Sequence, residues 1–169
     1  DMKKLVICFS RKGMNYVNGD IRNLPKGNCR HIAEIIASIT DGDLFEVERK
    51  KPYPEDYRAC VNESVAELKE QARPELKKML ADISEYDMIY IVGPCWCGHY
   101  PMPLATQLEN LDFDNKKVRY VMSHEGSGLA NAKEDLQKWC RNAEIGDGLA
   151  VKGTDIGKSV IAEWIRKGE

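Results

Sequence analysis

The sequence predicts an α/β fold of the doubly wound class: a three-layer sandwich around a five-stranded parallel sheet of order 2-1-3-4-5, in one domain spanning residues 1–169. Three observations predict it. The runs Lys4-Leu-Val-Ile-Cys-Phe9 and Met88-Ile-Tyr-Ile-Val92 are apolar without alternation, as strands buried on both faces require. Strand-like and helix-like segments alternate five times with no break in composition and no internal repeat. The loops after the first, third and fourth strands carry the unusual residues, and this strand order opens all three on one crevice at the switch point between strands one and three.

Taken in order, the first strand ends in Ser10-Arg-Lys-Gly-Met-Asn15, and Tyr16 to Gly27 reads as loop, punctuated by Asn18-Gly19 and Pro25-Lys-Gly27. Asn28 caps a helix whose Ile32, Ile35, Ile36 and Ile39 fall at helical spacing, closed by Asp41-Gly42. Asp43 to Glu48 alternates as an edge strand does. Pro52 to Tyr57 turns into a helix reaching Gln71, Arg73-Pro74 breaks it, and Glu75 to Leu80 reads as a further short helical turn. After the central strand, Gly93-Pro94 stops the run. Leu104 to Leu111 is helical, Lys117 to Val121 a strand, Ser123 to Gly128 a glycine-bearing loop and Leu129 to Trp139 a helix. Ile145 to Val151, interrupted by Gly146 and Gly148, is the last strand, and Ile156 to Arg166 the last helix.

The composition excludes several classes. A net charge of −2 leaves no basic footprint for nucleic acid or anionic lipid, and no run approaches the roughly 20 apolar residues of a membrane span. No signal peptide is read ahead of the first strand, and Asp1 reads as a scar before a native Met2. The six cysteines are therefore expected to be reduced thiols of a cytoplasmic protein rather than a disulfide framework.

The chemistry-bearing residues gather in the three loops. The first supplies Ser10, nearby amides and Lys12, together with the helix start at Asn28-Cys29: hydroxyl, N–H groups and helix dipole converge as a phosphate cradle does. The second, Pro94-Cys-Trp-Cys-Gly98, supplies the flat face of Trp96. The third supplies small residues, free amides, His124 between Ser123 and Ser127, and the carboxylate of Glu125. A GxGxxG signature is absent after the first strand, which counts against a dinucleotide. Gly153-Thr-Asp-Ile-Gly-Lys-Ser159 is one residue short of a Walker A loop and reads as punctuation before the last helix. Cys95-x-Cys97-x-His99 lacks a fourth zinc ligand, so no metal site is assigned. No Ser-His-Asp set comes together, so no catalytic side chain is assigned either.

Phe9-Ser-Arg11, Gly27-Asn28, Ala72-Arg-Pro-Glu-Leu76, Tyr86-Asp87, Gly93-Pro94-x-Trp96, Pro101-Met-Pro103 and Glu125-Gly-Ser-Gly128, in this order, resemble the flavodoxin-like family from Lys4 to Trp164. The resemblance implies FMN, its phosphate on Ser10, Arg11, Asn28 and Cys29, and its ring between Pro94, Cys95, Trp96, Cys97 and Gly98 on one side and Ser123, His124, Glu125, Gly126 and Ser127 on the other. It implies an electron carrier or a small FMN-dependent NAD(P)H or quinone oxidoreductase, exchanging electrons with a redox partner protein or a small-molecule acceptor. The competing class is a non-enzymatic binding or regulatory module of the same fold that has lost FMN. Three positions depart from the family pattern. Cys29 stands where threonine is usual, Cys97 replaces a common second tryptophan, and Glu125 replaces a glycine at the ring edge, where its charge opposes the negative charge of a reduced ring.

Overall fold

The computed structural model describes residues 3–168. Twelve strands and α-helices follow in order: β1 (Lys4–Phe9), β2 (Gly13–Val17), β3 (Asp20–Leu24), α1 (Asn28–Thr40), β4 (Asp43–Val47), α2 (Tyr57–Glu70), β5 (Met88–Pro94), α3 (Met102–Leu108), β6 (Lys117–His124), α4 (Ala132–Trp139), β7 (Glu144–Lys152) and α5 (Lys158–Lys167). Five of the strands form a parallel sheet in the order β4-β1-β5-β6-β7. With the β2–β3 hairpin set aside, this is the predicted 2-1-3-4-5.

The two-residue period of the strands sorts their side chains into two cores. Ile7, Ile89 and Ile91 pack with Leu104 and Leu108 of α3 and Leu136 and Trp139 of α4. Val6, Cys8, Tyr90 and Val92 pack on the other face with Ile32 and Ile36 of α1 and Ile161 and Ile165 of α5. Burial on both faces is the reason the central strands read as unbroken apolar runs.

Three expectations are corrected. Residues 13–24 are not loop but an antiparallel hairpin in a two-stranded sheet of its own. It turns at Asn18 (φ 50°) and Gly19 (φ 87°), two successive left-handed residues, which is the turn that matches the twist of paired strands. Its apolar residues Met14, Tyr16 and Ile21 are exposed and only Val17 is buried, so no buried face marks the alternation. Glu75 to Leu80 is not helical. Leu76 bridges Arg49 antiparallel, Lys50 N–H donates to Glu75 O (2.8 Å) and Lys77 N–H to Glu48 O (2.9 Å). Asn28, finally, is the first helical residue of α1 and not its cap, which is Gly27.

The segment beyond Leu76 is held by one buried side chain. Gln107 accepts from Leu80 N–H (2.8 Å) and donates to Leu80 O (2.9 Å), replacing the partners a helix or strand supplies. Gln107→Leu leaves both backbone groups unpaired and is expected to lower the unfolding free energy by about 2 kcal/mol. Urea denaturation reads this directly, and an unchanged midpoint removes Gln107 from that role.

Candidate functional site

The site is built outward from the start of α1. Gly27 has ordinary extended backbone angles (φ −64°, ψ 149°), so its lack of a side chain answers to space. A Cβ there would lie 2.1 Å from Ser10 Oγ and 2.8 Å from Arg11 O. This close approach lets Ser10 Oγ accept the Arg30 N–H at 3.0 Å, capping α1 from the loop after β1. With its oxygen accepting, the hydroxyl keeps its hydrogen for another group. The N–H groups of Asn28 and Cys29 have no partner among the described residues. Three donors and the positive end of a helix thus meet at one point, an arrangement that takes an anion.

The other residues predicted for this end sit differently. The Arg11 guanidinium donates to Pro54 O (3.0 Å), Glu55 O (2.9 Å) and Met14 O, tying the base of the hairpin to the 52–56 loop. Lys12 lies in an adjacent, larger groove of about 900 Å³, outside the cavity described below. The Cys29 thiol is buried 3.2 Å from Ser123 Oγ, and burial pushes its ionisation up to about 12. It stays neutral and faces β6.

The loop after β5 is a tight structure. Trp96 N–H donates to His99 O (2.8 Å) and His99 N–H to Trp96 O (3.2 Å) across Cys97 (φ 54°) and Gly98 (φ 84°). A turn of the same left-handed kind as that of the hairpin projects Cys97 into solvent. α4 fixes it from behind. Asn131 donates from its backbone and side-chain nitrogens to Gly98 O, both at 3.0 Å. Asp135 bonds His99 Nδ1 (2.8 Å) and accepts from Tyr100 N–H (2.9 Å). Burial raises the Asp135 carboxyl, and its bonds to His99 and Tyr100 pull the other way. Trp96 stands edge-on against Phe9 and Tyr53, both at 5.1 Å between ring centres, and Arg49 stacks 3.6 Å above the Tyr53 ring. The half-buried indole is both a packing residue and a cavity wall.

In the loop after β6, His124 Nδ1 accepts from Gly126 N–H and Gly128 N–H, both at 3.0 Å. Two amides expected to be free are therefore engaged, and the accepting nitrogen carries no proton. Ser127 Oγ donates to Cys95 Sγ (3.2 Å), joining this loop to the one after β5. The Glu125 carboxylate accepts from Asn18 N–H (2.5 Å) at the hairpin tip and Gly153 N–H (3.2 Å) after β7.

One cavity of about 470 Å³ joins these parts, within the range of small-molecule sites. Every predicted site residue except Lys12 lines it. Asn15, Tyr16, Leu24 and Tyr57 line it as well and escaped the sequence reading. Three belong to the hairpin, and the Asn18-Gly19 turn flanked by Tyr16 and Ile21 was the signal that could have found them. Tyr57 opens α2, its ring 6.3 Å from that of Tyr16.

A crevice at the carboxyl ends of β1, β5 and β6, with a cradle of donors at one end and an aromatic wall at the other, lies where ligands sit in open α/β sheets. The family profile described as Flavodoxin matches residues 24–168, and the chain belongs to that family. It is similar to a candidate flavoprotein from Bacteroides uniformis, 26% identical over 98% of each chain with a TM-score of 0.77. It shares its fold with a second from Bacteroides eggerthii (22% identity, 99% and 98% of the chains, TM-score 0.79). The same holds for a Lactobacillus acidophilus flavoprotein in complex with FMN (19%, 98% and 99%, 0.68). No curated protein matches the chain. Among the described residues, no helix is long and apolar enough to cross a membrane.

Proposed function

We propose that the protein binds FMN and works as an FMN-dependent redox protein. The observation that carries this reading is the cradle at Ser10, Gly27 and the start of α1, open to the same cavity as Trp96. The donor set fits a phosphate: one hydroxyl hydrogen and two unpartnered amides, at a helix end that favours negative charge. The similar protein of Lactobacillus acidophilus holds FMN, which supports the same ligand here. The ring then lies between the Pro94–Gly98 and Ser123–Ser127 loops. Bound flavin supplies the electron-transfer chemistry. The chain's own residues anchor the phosphate, pack the ring and keep water from one side of it.

A small flat electron acceptor suits the outer wall better than a strongly basic partner protein. Tyr16 and Tyr57 offer aromatic surface beside the cavity, and a net charge of −2 gives weak steering. The test is a titration of the purified protein with FMN, followed by absorbance and flavin fluorescence. Saturation at one FMN per chain with quenched emission is expected. A protein that stays colourless and leaves added FMN fluorescent overturns the reading in favour of a flavin-free binding module. In the same assay, Trp96→Ala is expected to weaken FMN by about 1–2 kcal/mol and to relieve part of the quenching. Unchanged affinity and emission return Trp96 to packing alone.

A further inference from the structure

Two features meet at one place in this structure: the hairpin between Ser10 and Gly27, and the glutamate at position 125. The Glu125 carboxylate accepts one N–H from the hairpin tip, at Asn18, and one from Gly153, the first residue past β7. Gly153 lies at the junction of these parts. A Cβ there would meet Asn28 Nδ2 at 2.8 Å, Glu125 Oε2 at 3.1 Å and Val17 Cγ1 at 3.5 Å. The hairpin in turn carries Asn15, Tyr16 and Leu24 into the wall of the cavity.

We infer that Glu125 is a positioning residue: it latches the hairpin to the rim of the cavity and so holds Tyr16 and its neighbours against the bound cofactor. The inference rests on the FMN reading for its consequence but not for the latch itself. The hairpin forms a separate two-stranded sheet, not hydrogen-bonded into the main one. An isolated two-stranded hairpin is marginal in water, so its position depends on such ties. Arg11 holds the base through Pro54 and Glu55, Val17 is buried, and Glu125 holds the tip. A carboxylate suits this because it is acceptor-only and can take an N–H on each oxygen, whereas a glutamine at the same position can satisfy only one of the two. A glycine there would take neither.

The latch is tested first in the FMN-free protein by amide hydrogen exchange. Glu125→Gln and Glu125→Ala should raise exchange at Asn18 and Gly153, by about tenfold or more in the alanine variant, in the order wild type, Gln, Ala. With FMN bound, stopped-flow release should be about tenfold faster in Glu125→Ala, and Tyr16→Ala should largely abolish this difference, because both variants remove the same wall. Unaltered exchange at both amides overturns the latch whatever FMN does. Equal acceleration of release with and without Tyr16 shows Glu125 acting on the cofactor by itself and overturns the positioning role. A shift in the flavin's reduction potential in Glu125→Gln with exchange and release unchanged does the same, and restores a direct charge effect. If exchange rises as expected and FMN does not bind, the cofactor reading fails and the latch stands.

Discussion

Gly27→Ala is expected to weaken FMN binding by about a hundredfold while leaving the sheet intact. The new methyl would sit 2.1 Å from Ser10 Oγ, 2.8 Å from Arg11 O and 2.9 Å from Arg11 C. Serine can rotate, but the Arg11 carbonyl is backbone and moves only with its loop. The rotation removes a cap from α1, worth about 1 kcal/mol, and takes from the phosphate a donor to a charged group, worth about 1.5–3 kcal/mol. At 1.4 kcal/mol per tenfold, the latter is roughly a 10- to 150-fold loss of affinity, and displacement of the Asn28 and Cys29 amides adds to it. The control is Gly157→Ala. Gly157 is the N-cap of α5, is extended, and has nothing within 4 Å of a built Cβ, so the cost should stay under about 1 kcal/mol with FMN affinity unchanged. Isothermal titration with both variants separates the cases. Equal affinities in wild type and Gly27→Ala move the phosphate away from this cradle.

The second large effect is discrimination between FMN and riboflavin. Riboflavin keeps the ring and ribityl chain but lacks the group that Ser10, Asn28 N–H and Cys29 N–H would satisfy. Three hydrogen bonds to a charged group and a helix end sum to more than about 3 kcal/mol, after allowance for the shared desolvation. Riboflavin should therefore bind more than about a hundredfold more weakly. Comparable constants for the two ligands sink the phosphate assignment without touching the ring site.

How much of this was legible in the sequence follows from what each residue answers to. The sheet was legible because Val6-Ile-Cys8 and Ile89-Tyr-Ile-Val92 are buried on both faces, and a doubly buried strand writes itself as a continuous apolar run. The loops of the crevice were legible because tryptophan, paired thiols and glycines are odd in plain turns. What lay hidden were contacts between segments distant in the chain. Glu125 reaches Asn18, Asp135 reaches His99 and Gln107 reaches Leu80, and nothing local marks either partner. Arg11 and Lys12 are a further case: the Arg11 guanidinium lines the cavity while donating to carbonyls of the 52–56 loop, and Lys12 lines the adjacent groove. The hairpin was missed because its apolar residues Met14, Tyr16 and Ile21 are exposed and only Val17 is buried, so no buried face writes a period-two pattern there.

The burial of Cys29 bears on how such a protein survives its own chemistry. In the FMN-bound protein proposed above, a reduced flavin that meets dioxygen would leave peroxide beside the pocket, and peroxide attacks thiolates far faster than thiols. Cys29 lies against Ser123 with its ionisation pushed up to about 12, and desolvation holds Cys8 behind it well above the ordinary thiol range. Both stay protonated and buried, Cys29 in the wall of the cavity and Cys8 in the core behind it. Cys97 instead stands exposed at the tip of its turn, where an oxidised sulfur disturbs no core packing. The exposed cysteine of the cavity thus sits on a turn, while the thiols of the helix and strand beneath it stay protonated and out of reach.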